Sequence, residues 1–104
     1  MRGAARLSAE ELEKLRKLKE IVESLSRDEA LAFRYLWEFI SVGEIIAEQE
    51  LRAKYGVVKP SLAFKRIREK GLMERGEGCY NLASWLRPLR KKLGSNLDAI
   101  LARV

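Results

Sequence analysis

Tyr55-Gly56-Val57-Val58-Lys59-Pro60-Ser61-Leu62-Ala63-Phe64-Lys65-Arg66-Ile67-Arg68-Glu69-Lys70-Gly71-Leu72 is the stretch whose reading decides the fold. Gly56 and Gly71 are natural helix stops, because glycine takes the left-handed backbone that closes a last turn. Pro60 suits the first position of a helix, where its missing N–H costs nothing. The spacing predicts a helix over 60–70. Ala63, Phe64 and Ile67 share one face; Ser61, Leu62, Lys65, Arg66 and Glu69 share the opposite one.

On the N-terminal side, residues 47–55 read as a short helix with acids in the first turn and bases in the last, as the helix dipole favours. Ile45-Ile46 before it reads as a short extended segment. Ser26-Arg27-Asp28-Glu29 is a capping box, in which Ser and Glu satisfy each other's free backbone donors. It opens a helix to about Ser41, with Phe33, Leu36, Trp37 and Ile40 on the most apolar face and Tyr35 and Phe39 widening it. A second box, Ser8-Ala9-Glu10-Glu11, opens an amphipathic helix over about 9–25 with Leu12, Leu15, Leu18, Val22 and Leu25 on its stripe. On the C-terminal side, residues 72–75 and 79–83 are strand candidates around a Gly76-Glu77-Gly78 turn. From Ser84 onward, Leu86, Leu89, Leu93, Leu97, Ile100 and Val104 recur at heptad-like spacing. Gly94-Ser95-Asn96 interrupts that seam, leaving one helix or two. Trp37 and Trp85 are expected as core or interface aromatics, and Cys79 as a small packing residue.

The order helix, short strand, helix, helix, strand, turn, strand resembles the winged helix-turn-helix DNA-binding family. The resemblance rests on residues 43–51, Tyr55-Gly56-Val57 and residues 60–72, and covers about 28–83. It implies a mainly α fold with a small β-hairpin wing, to which this chain adds N- and C-terminal helices that lie outside the minimal family pattern. The expected organisation is an N-terminal amphipathic helix over 1–27, the winged helix-turn-helix over 28–83, and a C-terminal helical dimerisation segment over 84–104. The plan is similar to that of PadR-like and MarR-like dimeric regulators and of archaeal plasmid-segregation site-binding proteins. The resemblance makes 60–70 the recognition helix and about 75–79 the wing. The wing is short and carries Glu77 beside Arg75, which is poor for deep groove insertion.

A major groove accepts one helix and is read by its exposed side chains. Lys65 and Arg66 are therefore the expected base or phosphate contacts and Ser61 a phosphate contact at the helix start; Leu62 has two readings, a contact to a thymine methyl or a second small core contact. Lys59, Arg68 and Arg75 are expected on phosphate. Each neutralised phosphate steepens the log–log salt dependence by about 0.9. Leu86, Leu89, Leu93, Leu97 and Ile100, with Leu15 and Val22, are expected at a homodimer interface, because a single small chain has difficulty covering both apolar stripes. A two-fold dimer predicts a palindromic site. The dense cluster Arg87, Arg90, Lys91, Lys92 has two readings, flanking phosphate or solubility.

The 104 residues hold one domain's worth of chain, with 47% hydrophobic and 35% charged residues and a net charge of +6. The charge is segregated: residues 28–58 are net −3 and residues 59–104 net +7. Segregated charge favours a polyanion partner. The chain has no histidine, no recognisable nucleophile–base pair and no Gly-rich phosphate loop, so an enzyme is not expected. A single cysteine excludes an internal disulfide and a multi-cysteine zinc site, and neither cofactor nor metal is expected. No apolar run reaches the ~20 residues that span a bilayer. Residues 1–6 lead into a charged segment rather than an apolar signal core, so the expected location is the cytoplasm, in association with the nucleoid. The leading expectation is a sequence-specific double-stranded DNA-binding regulator acting as a homodimer. Two alternatives stand beside it: a DNA-coating architectural or plasmid-partition protein, and a winged-helix protein-interaction module using the acidic 28–58 segment.

Overall fold

A computed structural model describes residues 6–104. The reading of the chain's opening as a non-signal segment rests chiefly on residues 1–5, which lie outside the described residues. Both capping boxes form. The Ser8 hydroxyl accepts from Glu11 N and opens α1 (Ala9–Glu23); Ser26 accepts from Glu29 N and opens α2 (Arg27–Phe39). Ile40 closes α2 at φ 67° and ψ −47°, a positive-φ, γ-turn-like conformation that costs a β-branched residue on the order of 1–3 kcal/mol. The sharp exit leads into β1 (Ser41–Gly43).

The extended segment is thus placed differently from its expected position at Ile45-Ile46. Those residues lie in the first turn of α3 (Glu44–Tyr55). Only Ser41, Val42 and Gly43 come opposite Asn81, Tyr80 and Cys79, and pairing across the sheet outweighs the β-propensity of two adjacent isoleucines. Gly56 ends α3 at φ 68° with Val57 N bonded to Leu51 O, which makes the tight turn into α4 (Pro60–Glu69). The wing follows as β2 (Met73–Gly76) and β3 (Cys79–Leu82), joined by Glu77-Gly78. β3 lies at the centre of an antiparallel sheet of order β1-β3-β2. This is a mainly α fold with a β wing, and its order of elements is compatible with a winged helix.

The C-terminal segment is two short helices, α5 (Arg87–Leu93) and α6 (Leu97–Leu101), divided at Gly94. The expected dimer seam needs correction here. Leu15, Leu86, Leu89, Leu97 and Ile100 are at most 4% exposed within one chain, and Leu93 and Val22 pack against the same core. The break at Gly94 lets α6 fold back, so that the seam faces the chain's own α1 and α2 side. Lys19 donates to the Val104 carbonyl at 2.5 Å, Lys92 pairs with Glu11 at 2.8 Å, and Arg34 pairs with Asp98 at 2.6 Å. One core therefore takes side chains from all three stretches of the sequence, from Leu15 to Ile100. Trp37 is buried in it. Trp85 is half-buried, donates to Gly71 O at 2.8 Å, and lies under the Lys17 ammonium.

Candidate functional site

The helix pair α3–α4 and the wing present two chemically different faces. On α4, Ala63, Phe64 and Ile67 are buried, and the Phe64 ring stacks on Tyr80 at 4.2 Å. This fixes the helix against the wing and turns Ser61, Leu62, Lys65, Arg66 and Glu69 to solvent, as the periodicity predicts, with Arg68 exposed beside them. Lys59 is exposed at its N-cap. Among the described residues, Lys59, Lys65, Arg66 and Arg68 have no ion-pair or side-chain hydrogen-bond partner. Elsewhere Arg27, Arg34, Lys54, Lys70, Arg75, Arg87 and Lys92 each meet a carboxylate, whereas Arg6, Lys14, Arg16, Arg52 and Lys91 have no partner among the described residues.

Arg75, read as the wing's phosphate contact, is one of those engaged. Its guanidinium grips both oxygens of Glu44 at 2.9 and 3.0 Å, across from the start of α3. A bidentate arginine–carboxylate pair is the stronger geometry for such contacts. Next to it Tyr80 donates to Glu48 at 2.6 Å, and burial, then that carboxylate, push the Tyr80 hydroxyl far above its ordinary range. Glu44 and Glu48 thus line the groove between α4 and the wing, a space of about 320 Å³ that also meets Lys65 and Arg68. Cys79 is half-buried on β3, and a Cβ placed on Gly76 would come within 2.7 Å of its sulfur.

The basic cluster of α5 is largely spent on structure. Arg90 donates to the carbonyls of Trp37 and Glu38 at 2.8 and 3.1 Å, satisfying open carbonyls at the end of α2. Arg87 reaches Leu82 O and Glu74, and Lys92 reaches Glu11. Lys91 alone of the four is left exposed with no partner among the described residues.

The second face lies at the end of α2 and the start of α3. Ala47 and Leu51 point into the core, which carries Ile45 and Ile46 out of it; they are 72% and 57% exposed. Phe39 is 48% exposed and packs its ring on Tyr35 at 4.8 Å. Tyr35 donates to Glu50, one helical turn beyond Ile46 on the same stripe. Burial and then the Glu50 carboxylate raise the Tyr35 hydroxyl well beyond its usual range, so it remains a donor. A third apolar pair, Val58 and Leu62, lines a groove of about 380 Å³ against the start of α2, with Asp28, Lys59 and Arg66 at its edges.

Sequence reasoning missed the Phe39–Ile45–Ile46 face, because it placed the isoleucines in a strand. A signal was present: residues 35–51 contain Glu38, Glu44, Glu48 and Glu50 and no lysine or arginine. Among the described residues no cluster of His, Cys, Asp or Glu is arranged to hold a metal ion, and no helix is long and apolar enough to cross a membrane.

No individual curated protein shows significant similarity to the chain. Residues 26–88 match the family model described as PBP2, PolB1 Binding Protein 2. The matched span runs from the N-cap of α2 into α5 and contains both faces. With more than half of its length matched, the chain belongs to the PolB1 Binding Protein 2 family.

Proposed function

We propose that this chain is a protein-interaction module that binds the polymerase PolB1. The observation that carries the reading is the family match over 26–88, whose description names such a partner. The surface chemistry supports it. Apolar side chains stand exposed on two adjacent helices, and the wing's arginine pairs with Glu44. A module of this kind needs no catalytic group, and its acidic middle suits a basic partner. The test is calorimetric titration of the full chain into purified PolB1. A saturable complex at micromolar concentration or tighter is the expected result; no heat and no co-elution at tens of micromolar would reject it.

A second reading is favoured by one specific observation, the four unpaired cations Lys59, Lys65, Arg66 and Arg68 on one short helix. In it α4 enters a major groove of duplex DNA, with Lys65 and Arg66 on bases or phosphate, Ser61 and Leu62 beside them, and the chain associated with the nucleoid. Arg75 would have to exchange Glu44 for a phosphate to join this contact set. Four phosphate contacts would give a log–log salt slope of about −3.6, at about 0.9 per phosphate. Lys65→Ala/Arg66→Ala should then abolish a gel shift on duplex DNA and leave polymerase binding within twofold. Unchanged DNA affinity in that variant would reject this second reading.

A further inference from the structure

We infer that the Phe39–Ile45–Ile46 face is the surface that docks on the polymerase, and that its occupant is a polymerase segment presenting an apolar groove rimmed by lysine or arginine. This rests on the polymerase-binding reading above and adds the place and the chemistry of the contact.

Three observations converge on it. The first is the exposure itself. The three side chains leave on the order of 300 Å² of apolar surface in solvent, the scale at which a patch on a monomer is often functional. Ile45 and Ile46 are adjacent on a helix, so their Cβ directions differ by about 100° and both cannot face the core that Ala47 and Leu51 already occupy. The second is the backbone. Ile40 holds φ 67° immediately after Phe39, while Leu82 N bonds the Ile40 carbonyl and pins the exit to β3. A right-handed continuation of α2 would carry the chain away from the sheet. The strained turn instead ends the helix at Phe39 and leaves that ring at the surface beside α3.

The third is charge. From Tyr35 to Leu51 there are four glutamates and no cation. Glu44 is paired with Arg75 and Glu50 with Lys54, so the negative field that remains comes from Glu48, which accepts from Tyr80, and from Glu38. Glu38 is exposed, and no cation pairs with it among the described residues. An apolar centre with an oriented acidic rim is complementary to an apolar groove with a basic rim. The Val58–Leu62 groove lacks this definition, since Asp28 and Glu29 face Lys59 and Arg66 across it.

The test titrates purified PolB1 with the full-length wild-type chain and with three variants: Ile45→Ser/Ile46→Ser, Phe39→Ser, and Glu38→Lys. Far-UV circular dichroism melts accompany each, and sedimentation runs cover the wild-type chain and the isoleucine double variant. The double variant keeps its melting point, because neither side chain is in the core. It should lose about 100-fold in affinity, roughly tenfold per isoleucine buried on docking. Phe39→Ser, on a different helix, should lose about tenfold, and Glu38→Lys should weaken binding severalfold at low salt and less at high salt. Wild-type affinity in both Ile45→Ser/Ile46→Ser and Phe39→Ser overturns the docking surface and leaves polymerase binding standing. No binding by the wild-type chain rejects the polymerase reading and this inference with it. Self-association of the wild type that the double variant abolishes, with polymerase affinity unchanged, assigns the face to a second copy and overturns the inference.

Discussion

Leu89→Ala separates a chain that uses its C-terminal helices as its own core from one that uses them to hold a second copy. Leu89 is 2% exposed, on the helix whose Arg90 caps the end of α2. Truncating a buried leucine costs the transfer free energy of the lost methyl and methylene groups plus that of the residual cavity, in the range of about 2–5 kcal/mol. The site is walled by fixed neighbours, Arg90 on the Trp37 and Glu38 carbonyls and Arg87 on Leu82 O, so collapse is limited and about 3 kcal/mol is expected. For a domain of this size each kcal/mol shifts the melting point by roughly 4–8 °C, so the variant should melt about 12–24 °C below wild type. The assay is a thermal melt of both proteins over a hundredfold range of concentration. A core internal to one chain gives melting points independent of concentration. A fold that required dimerisation would gain about 2.7 kcal/mol over that range by mass action, and its melting point would climb by several degrees. A concentration-dependent wild-type melting point that Leu89→Ala abolishes would refute the reasoning.

Glu29 is 8% exposed; burial pushes its carboxyl up, but the Lys70 ammonium at 3.0 Å and the Ser26 backbone N–H together hold it below 4.5. Its folded-state value lies below the unfolded one, so its stabilisation is present above about pH 4.5 and fades as pH falls through the lower folded value. Glu29→Gln should cost about 1–2 kcal/mol at pH 7 and less below pH 4, read as urea midpoints across that range. Ile40 is only partly buried, so Ile40→Gly trades a modest loss of apolar contact for relief of the positive-φ strain and should leave stability within about 1 kcal/mol of wild type; a loss of several kcal/mol in a denaturation curve would show that Ile40 is unstrained. Gly76→Ala places a methyl 2.7 Å from the Cys79 sulfur and 3.0 Å from the Asn81 amide, so it should cost roughly 1–3 kcal/mol and raise amide exchange in the wing. Exchange rates unchanged from wild type would show that the hairpin absorbs the methyl.

Features that depend on a few neighbouring residues were legible in the sequence. Both capping boxes, the Gly56 stop, Pro60 at the start of α4, and the buried and exposed faces of that helix follow from spacing and backbone chemistry alone. A wing turn was legible for the same reason, read over Gly76-Glu77-Gly78; pairing with Cys79 takes Gly76 into β2 and leaves Glu77-Gly78 as the turn. What escaped depends on partners distant along the chain. β1 is recognisable only from its pairing with β3 some forty residues later. Arg75 reads as a free cation until the sheet brings Glu44 against it. The Leu86–Ile100 seam has the spacing of an interface, and spacing does not say whether the opposing surface belongs to the same chain. Arg90 looks like one member of a basic cluster, and only the packing of α5 on α2 makes it a helix cap.

The central claim is that the chain binds a polymerase through apolar side chains on α2 and α3, with the cations of α4 left free. Its most direct test is hydrogen–deuterium exchange of the full chain with and without PolB1 at saturating concentration. The account predicts protection at the α2–β1 turn and the first turn of α3, over residues 38–47, with exchange in 59–68 unchanged. Protection confined to 59–68, with 38–47 exchanging as in the free chain, would contradict it.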